Sequence, residues 1–377
     1  MRLLFWGTYD TGKPRSRILI SGLRSAGVDV QEIRAGVWDD VADKSQVHST
    51  LARFGLLLRW LLSYPMLAWR LCRAERPDAI VVGYPGILDI LVAAPIARLR
   101  GIALFWDMFI SVYDTVCMDR ALFRPDSVRG RLLYWLERSA LHRADLVFMD
   151  TRTHAARIER LFDLGDGSCG AVWVGAETEY FMPMPTRPAG DGKTMEVLFY
   201  GQFIPLHGIE TIVLAARRLR TQPIRWRLIG QGQESSRIRE LLAGDPLPNV
   251  DWVEWVEYAE LRQSIARADL CLGIFGASDK ATSVIPNKVF QIVMSGRPLV
   301  TRDSPAIREL LAPEAPCVTL VPPDDPAALA FAVNNHLQLR QVAAPDIHCH
   351  ASAARLIDAA AIARQFLEMM EKWRMNQ

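Results

Sequence analysis

The stretch MEVLFYGQFIPLHGIETI, residues 195–212, decides the fold of this chain. Its first residues form a short apolar run, which is typical of a buried strand, and Gly201 follows as a turn. After Gly208 the apolar residues recur at helical spacing, which predicts a helix. A strand that passes through a glycine turn into a helix is one βα unit, and repeats of this unit predict a parallel sheet covered by helices.

The same βα unit recurs in both halves of the chain, with helical segments between the apolar runs. In the C-terminal half the predicted strands are 195–201, 225–230, 250–256, 268–275, 298–301 and 317–321. In the N-terminal half they are 2–7, 28–34, 78–86, 102–107 and 144–150. This pattern predicts an α/β fold of two Rossmann-like domains, whose parallel sheets face a cleft.

A proline-rich stretch at 181–193 separates the two halves and is the best candidate for a linker. We therefore expect an N-terminal domain over 1–184 and a C-terminal domain over 195–350. Residues 351–377 contain a predicted long helix that belongs to no βα repeat. We expect this helix to cross back and pack on the N-terminal domain.

Composition narrows the class of protein. A length of 377 residues suits two domains, and a net charge of +2 argues against a general nucleic-acid binder. Six cysteines are scattered without a CxxC pair, which is typical of a reducing compartment. His348, Cys349 and His350 form the only Cys/His cluster. Because a zinc site takes about four ligands, we expect no metal there.

The N-terminal apolar run meets polar residues at Thr8, so it is too short for a signal peptide. No stretch of the sequence approaches the roughly 20 apolar residues that span a bilayer. We expect a cytoplasmic protein, either soluble or in peripheral contact with the inner face of the cell membrane.

Residues 51–78 form a very apolar helical stretch in which arginines alternate with Trp60 and Trp69. A basic, tryptophan-bearing amphipathic helix can lie in a membrane interface. The alternative is a pair of core helices that is broken at Pro65.

The stretch IPNKVFQIVMSGRP, residues 285–298, predicts a helix with an open N-terminus. Pro286 suits the first turn and Asn287 can cap the helix. Lys288 adds a formal charge to the positive end of the helix dipole. These features together indicate a phosphate site, whereas each is also compatible with a purely structural helix start.

Two glycine turns add to this prediction. Gly201 and Gly208 permit close backbone approach, and His207 between them can donate a hydrogen bond to a phosphate. A second turn, GQG, covers 230–232. Because all these features follow strands of one sheet, we expect them on one rim, where such sheets bind ligands. The alternative is a set of ordinary βα turns with a surface histidine.

In this combination the sequence resembles the family 4 retaining glycosyltransferases of the GT-B fold. The resemblance lies within 195–312 and rests on FYGQFIPLHGIETIVLAARRL, WRLIGQGQE, VDWVEWVEYAELRQSIARADLCLGIF and IPNKVFQIVMSGRPLVT. In the N-terminal half, GTYDTGKPRSRILISGL, FWDMFISVYDT and ADLVFMDTRTHA resemble one subgroup. The resemblance implies a hexosyltransferase without a cofactor. We expect it to be metal-independent, because the sequence shows no convincing carboxylate pair for a metal and the helix at 286 supplies positive potential. Its donor would be a UDP- or GDP-sugar.

The resemblance also implies where the donor binds, with its diphosphate against 286–289. Gln202 and His207 stand where Arg and Lys are commoner in the family. Both glutamates of the family's EX7E pair are absent, since their positions are Ser283 and Gln291. In the family the second glutamate holds the ribose hydroxyls, and Gln291 can still accept a hydrogen bond from one of them. A charged acceptor is roughly twice as strong as a neutral one, so loss of activity is an alternative. The implied donor-binding residues are Gly201, Gln202, Gly230, Gly232, Trp255, Ser283, Ile285, Pro286, Asn287, Val289 and Gln291.

The N-terminal domain is expected to bind the acceptor at the rim of its sheet. Asp107 follows a strand and is the candidate catalytic carboxylate, although Asp is also an ordinary helix cap. Asp150, Thr151 and His154 follow the last strand and are expected to line the cleft. The candidate acceptor-binding residues are Gly7, Thr8, Tyr9, Asp10, Lys13, Ser111 and Asp114.

Members of this fold that retain configuration are thought to react on the front face without a protein nucleophile, and the leaving diphosphate accepts the acceptor's proton. Lys288 and His207 would stabilise the leaving charge. The apolar segment 51–73 favours a glycan or lipid-linked acceptor in cell-envelope or exopolysaccharide assembly. The alternatives are a nucleotide-sugar epimerase of the same fold and a catalytically weakened nucleotide-sugar-binding protein.

Overall fold

A computed structural model of the protein describes residues 1–37, 50–183, 194–342 and 348–376. The chain forms two compact units: unit 1 is Met1–Val174 with Ala359–Gln377, and unit 2 is Gly175–Asp358. The division thus falls at 174 and 358, where the sequence suggested 184 and 350. The segment after Val174 belongs to unit 2 because the rings of Tyr180 and Phe181 pack on Tyr258. Most of the predicted linker lies outside the described residues.

Unit 1 contains a six-stranded parallel sheet in the order β2-β1-β3-β4-β5-β6. Four of the five predicted strands are short and almost wholly buried, as their continuous apolar runs indicated. The last and shortest strand, β6, was not predicted because its three residues carry no apolar pattern. The strands are β1 Arg2–Gly7, β2 Asp29–Arg34, β3 Ala79–Val82, β4 Ala103–Phe109, β5 Leu146–Met149 and β6 Cys169–Ala171.

Helices flank this sheet. Ser127 and Thr151 cap the fourth and fifth helices, because each side chain accepts the N–H of the third residue after it. The second helix continues through Pro65 as one piece, so it is not the broken pair considered as an alternative. The helices are α1 Pro14–Ser25, α2 Thr50–Arg73, α3 Ile87–Arg100, α4 Val128–Leu141 and α5 Arg152–Phe162, with a π-helical turn at Asp114–Asp119.

The C-terminal segment returns to unit 1, as expected, but it is not one helix. It consists of a short helix, Ala351–Ala354, and a long one, Ala359–Met375, separated by 355–358. The long helix packs against α1 so closely that a Cβ on Gly22 would lie 2.0 Å from the carbonyl oxygen of Ala359. Its apolar face, with Phe366 fully buried, completes the core on that side of the sheet.

Unit 2 repeats the architecture with a parallel sheet in the order β12-β11-β10-β7-β8-β9. The strand that ends in the glycine turn, β7, therefore lies inside the sheet, between β10 and β8. The strands are β7 Met195–Tyr200, β8 Ile224–Ile229, β9 Val250–Val253, β10 Leu270–Leu272, β11 Leu299–Arg302 and β12 Val318–Val321.

The helices of unit 2 follow the predicted βα pattern, with one additional short helix before the proposed phosphate site. That helix, α9, was not predicted because five residues are too few to show a helical period. The helices are α6 Ile209–Arg218, α7 Ser235–Gly244, α8 Tyr258–Arg267, α9 Asp279–Ser283, α10 Asn287–Met294, α11 Pro305–Leu310, α12 Pro326–Val342, α13 Ala351–Ala354 and, in unit 1, α14 Ala359–Met375.

The close packing of α14 on α1 yields a stability prediction. Gly22→Ala should lower the free energy of unfolding by about 1–3 kcal/mol, because the added methyl group meets a backbone carbonyl that cannot rotate away. Chemical denaturation monitored by circular dichroism measures the change.

Gly55 in α2 provides the matched control, since a Cβ there meets no described atom within 4 Å. Gly55→Ala should raise the free energy of unfolding by up to about 1 kcal/mol, because Ala favours a helix interior. Equal stability of the Gly22→Ala variant and the unchanged protein would contradict the docking of α14 on α1.

Candidate functional site

The candidate site lies at the carboxyl end of β7, where the chain turns at Gly201. This residue has φ 137°, a conformation that favours glycine. A Cβ on Gly201 would lie 2.9 Å from Nζ of Lys288 and 3.1 Å from Cε1 of His207. The structure therefore brings together three of the residues that the sequence singled out, and the missing side chain at position 201 makes room for a lysine and a histidine.

Lys288 is buried without an anionic partner. Its side chain is 5% exposed, and Nζ lies 3.7 Å from the ring centroid of Phe199. Among the described residues no atom forms a hydrogen bond with Nζ. The aromatic face stabilises the cation only in part, and burial holds the pKa of Lys288 well below its ordinary value. A buried ammonium of this kind is a strong attractor for an anion.

The start of α10 adds open backbone donors beside this lysine. The cap residue is Pro286, and its carbonyl accepts the N–H of Val289 at 2.9 Å. The expectation that Asn287 caps the helix was wrong, because Asn287 is already helical and an N-cap residue is not. Among the residues that the structure describes, no side chain caps the first turn. Its N–H groups and the helix dipole therefore favour an anion next to Lys288.

Several other residues that were predicted to bind the nucleotide sugar lie at or near the start of α10. Ile285 and Val289 are buried and anchor the turn in the core. Ser283 lies on α9, where its hydroxyl donates to the carbonyl of Asp279 at 3.0 Å, so this hydroxyl is engaged within its own helix. Gln291 lies one turn after Lys288, and its Oε1 accepts the hydroxyl of Tyr200 at 3.0 Å.

His207 lies in a single 3₁₀ turn, Pro205–His207, that follows the glycine turn. Its Nδ1 donates to the carbonyl oxygen of Gln202, which fixes the ring, so Nε2 can donate to a ligand only when the imidazole is protonated. The ring edge also packs on Phe199, the residue under Lys288, at 5.7 Å between centroids. Lys288 and His207 thus share one aromatic support. Gln202 contributes its backbone to this arrangement rather than a charge.

The second glycine turn lies directly against the first. Gly230 has φ 141°, and a Cβ there would lie 1.9 Å from the carbonyl oxygen of Gly201. A Cβ on Gly232 would lie 2.7 Å from the carbonyl oxygen of Phe203. Both glycines are therefore needed for the two loops to meet, as their place on one rim predicted.

Two tryptophans come after this turn in the sequence. Trp252 lies on β9 and Trp255 lies shortly after that strand. Trp252 stacks on Phe203 at 5.0 Å and donates to the carbonyl of Gly230, so it supports the loops. Trp255 is 65% exposed and offers an aromatic face to solvent. Of the two, Trp255 alone has a ring available to a ligand.

In unit 1 the candidate catalytic carboxylate is buried in an ion pair. Nε of Arg15 donates to both oxygens of Asp107, at 2.7 and 2.9 Å, and the same guanidinium donates to the carbonyl of Val172 at 2.8 Å. Burial raises the pKa of Asp107, and Arg15 opposes that shift. This pair ties α1 to β4 and to the segment after β6. The catalytic role of Asp107 stays a prediction.

The first turn of unit 1 is also engaged inside the protein. The backbone N–H and the hydroxyl of Thr8 donate to Asp89, at 2.7 and 3.0 Å, and a Cβ on Gly7 would collide with the same carboxylate. Burial raises the pKa of Asp89 to about 7. The hydroxyl of Tyr9 donates to Glu32 at 2.6 Å. These contacts hold the turn in place, and the sequence did not single out either carboxylate.

The remaining residues of this turn differ in exposure. Asp10 accepts the N–H of Gly12 at 2.8 Å and so shapes the loop from within. Lys13 is exposed and directly precedes α1. It is therefore the acceptor candidate of this turn whose charge faces solvent.

A second buried network follows β4. The hydroxyl of Ser111 donates to Glu137 at 2.7 Å, and burial raises the pKa of Glu137 to about 7. Asp114 accepts from Arg157 at 2.7 Å. Glu137 was missed because a glutamate inside an amphipathic helix looks like a surface residue. Ser111 and Asp114 thus have structural contacts, and their acceptor-binding role stays a prediction.

The polar residues after β5 form one further buried pair. Nδ1 of His154 lies 2.6 Å from Oδ1 of Asp150, and Thr151 caps α5. Asp150 also acts electrostatically on Asp107, so these carboxylates are near one another on the rim.

Comparisons with known proteins agree with this geometry. Residues 194–338 match the family described as glycosyl transferases group 1, and residues 13–165 match the glycosyl transferase 4-like domain. The chain is 24% identical over 367 residues to the putative colanic acid biosynthesis glycosyl transferase WcaI of Escherichia coli strain K12. The match covers 89% of this chain and 84% of that protein.

Solved structures show the same fold at low sequence identity. The sucrose-phosphate synthase of Thermosynechococcus elongatus is 18% identical, with a TM-score of 0.74 and full coverage of both chains. Anabaena HepE in complex with UDP-glucose is 16% identical, with a TM-score of 0.69, and the match covers 99% of this chain and 100% of that one. With two parallel six-stranded sheets and both domain matches, this chain belongs to the family 4-type glycosyltransferases of the GT-B fold.

Proposed function

We propose that this glycosyltransferase moves a hexose from a UDP- or GDP-sugar to an acceptor hydroxyl with retention of configuration. The observation that carries the proposal is Lys288, a buried cation without an anionic partner at the open end of α10. A nucleotide diphosphate supplies the missing negative charge. HepE binds UDP-glucose, which supports the same class of donor for this chain.

The diphosphate is held by three kinds of donor. The N–H groups of the first turn of α10 contact one phosphate, Lys288 contributes its ammonium group, and a protonated His207 donates from Nε2. Gly201 leaves the space that the side chains of Lys288 and His207 occupy beside the phosphates. Trp255 is exposed after β9, which supports stacking of the nucleobase on its ring.

The reaction needs stabilisation of the leaving diphosphate rather than a protein nucleophile. The bond between C1 of the sugar and the diphosphate oxygen breaks, and the acceptor oxygen bonds to C1 on the same face. The acceptor's proton passes to the diphosphate oxygen. Lys288, His207 and the helix amides are fixed before the reaction, so they lower its barrier without reorganisation. No metal or cofactor takes part in this proposal.

The acceptor is proposed to bind unit 1 and to be a lipid-linked glycan at the membrane surface. One face of α2 exposes six large apolar side chains, each between 46% and 66% exposed, next to a guanidinium of Arg73 that lies 4.5 Å from the ring centroid of Trp69. This combination suits an interface with anionic lipid. The six side chains, here called the α2 apolar face, are Leu57, Leu58, Leu61, Leu62, Met66 and Trp69.

Among the described residues, no helix has both the length and the hydropathy required to cross a bilayer. The proposed contact is therefore peripheral. WcaI carries colanic acid biosynthesis in its name, which supports a role in exopolysaccharide or envelope assembly for this chain as well.

The burial of Lys288 predicts opposite effects on binding and stability. Lys288→Met should weaken the binding of UDP or GDP about 10- to 100-fold, because a charged hydrogen bond is lost. The same change should raise the free energy of unfolding by about 1–3 kcal/mol, because a buried polar group without a hydrogen bond is removed. Isothermal titration calorimetry and chemical denaturation measure the two quantities.

Lys372, an exposed lysine of α14, gives the control: Lys372→Met should change neither quantity. Unchanged nucleotide affinity in Lys288→Met would remove this lysine from the donor site. A protein that binds UDP or GDP but transfers no sugar would instead be the catalytically weakened binding protein.

Donor binding should also take up a proton. In the empty site burial lowers the pKa of Lys288, whereas a bound diphosphate raises it again. Between the two pKa values binding adds a proton, so the affinity rises as the pH falls and levels off below the lower pKa. Burial raises the pKa of the neighbouring Tyr200, which therefore stays neutral.

Calorimetry at a series of pH values above about 7, where the diphosphate is ionised, measures this uptake in two buffers with different ionisation enthalpies. The proton uptake should disappear in Lys288→Met. If that variant keeps the proton uptake, Lys288 is not the group that is protonated.

The α2 apolar face predicts binding to vesicles. The protein should float with liposomes of phosphatidylglycerol and phosphatidylcholine, and the double change Leu62→Glu with Trp69→Glu should prevent flotation. Phe331→Glu, at a side chain on α12 that is 68% exposed, is the matched control and should float as before. If the unchanged protein stays at the bottom of the gradient, the proposed membrane contact is wrong.

A further inference from the structure

A chain of side-chain hydrogen bonds runs through Gln291 and ends at a carboxylate. The hydroxyl of Tyr200 lies 3.0 Å from Oε1 of Gln291, and Nε2 of Gln291 lies 3.5 Å from the hydroxyl of Tyr258. The hydroxyl of Tyr258 lies 2.9 Å from Oε2 of Glu177. The network thus links four parts of unit 2: β7, α10, α8 and the segment before residue 183.

The carboxylate of Glu177 determines which group donates in each hydrogen bond of this network. An ionised Glu177 can only accept, so the hydroxyl proton of Tyr258 points to it. The oxygen of Tyr258 then accepts, and the amide must turn its nitrogen toward Tyr258 and its oxygen toward Tyr200. The carboxylate therefore fixes the orientation of Gln291, an assignment that follows from the network rather than from the shape of the amide.

The carboxylate end of the network is held in place by packing. The ring of Tyr258 makes edge contacts with Tyr180, at 5.4 Å, and Phe181, at 5.7 Å. The carbonyl of Glu177 accepts the N–H groups of both residues, at 3.0 and 2.9 Å. One turn therefore supplies the carboxylate and the rings that hold the tyrosine against it.

The amide of Gln291 can form further hydrogen bonds with a ligand. An amide accepts two hydrogen bonds and donates two, and the described contacts use one of each. Gln291 follows Lys288 by three residues, so both lie on one face of α10. A ligand that binds this amide beside the diphosphate needs one hydroxyl that donates a hydrogen bond and one that accepts a hydrogen bond.

We propose that Tyr258 and Glu177 are positioning residues, which orient the amide of Gln291 to bind the vicinal 2′- and 3′-hydroxyls of the donor's ribose. One ribose hydroxyl donates to Oε1, and the other accepts the second N–H of Nε2. This inference rests on the proposed function, because it assumes a nucleotide bound at α10. The family resemblance already implies a ribose contact at position 291. The new part of the inference is that Tyr258 and Glu177 orient Gln291, which explains why an amide stands there.

A carboxylate at position 291 does not fit this network. In Gln291→Glu the hydroxyl of Tyr258 lies between two carboxylates and has one proton for both. Their repulsion raises the pKa of one of them and disturbs the geometry. Adding Glu177→Gln restores the total charge of the network and reverses the direction of its hydrogen bonds. The hydroxyl of Tyr258 then donates to the new carboxylate at position 291 and accepts from the new amide at position 177.

Calorimetry with UDP or GDP and with the 2′-deoxy and 3′-deoxy forms of the same nucleotide tests the proposal. The unchanged protein should bind the ribonucleotide about tenfold more tightly than either deoxy form, which corresponds to roughly 1.4 kcal/mol. Tyr258→Phe should reduce this ratio to about one, because the amide loses its orientation, while the deoxy forms bind as before. Tyr180→Phe is the matched control and should keep the full ratio.

The double change completes the test. Gln291→Glu alone should weaken ribonucleotide binding about tenfold and lower the melting temperature, and the double variant with Glu177→Gln should recover both. A ribose preference that survives Tyr258→Phe, or purely additive losses in the double variant, would overturn the proposal. The melting temperatures test the network without a nucleotide. If the unchanged protein binds neither UDP nor GDP, the proposed function fails as well, and that result is distinct from a lost ribose preference.

Discussion

A buried lysine that rests on a phenylalanine ring, with no hydrogen-bond partner among the described residues, is the constraint around which the candidate site of unit 2 is arranged. Lys288 can occupy that position only because residue 201 has no side chain, and the turn at Gly201 can form only because Gly230 also has none. Phe199 lies on a strand inside the sheet, so the support under the charge is rigid. The fold thus holds an unfavourable arrangement that an anionic ligand relieves.

The two units share a topology and treat charge differently. In unit 1 two buried carboxylates of the rim are paired with arginines, Asp107 with Arg15 and Asp114 with Arg157. In unit 2 the buried lysine beside the glycine turn has no hydrogen-bond partner among the described residues. Because breaking a buried pair costs about 3–5 kcal/mol, the paired rim of unit 1 is a fixed frame. The two rims therefore differ in chemistry although their sheets are built alike.

The sequence predicted the periodic and the local features well. Apolar runs separated by glycine turns indicated the order of the strands, and the spacing of Gly201, His207 and Lys288 after strands indicated one rim. It did not predict contacts between distant residues, such as Arg15 with Asp107, because no local pattern encodes a partner 92 residues away. The same holds for Glu177 and Tyr258, which look like ordinary loop and helix residues. The cap at Pro286 and the break at 355–358 depended on tertiary packing.

The return of the last helix to unit 1 has a consequence for how the protein is made. The core between α1 and the sheet contains Ile362, Phe366 and Met370, which are translated only after all of unit 2. At a synthesis rate of roughly 5–20 residues per second, the groove on α1 stays open for roughly 10–40 s on the ribosome. Unit 2 can fold during that interval, since its core is contiguous in the chain. The nascent unit 1 meanwhile presents an apolar surface of the kind that chaperones recognise.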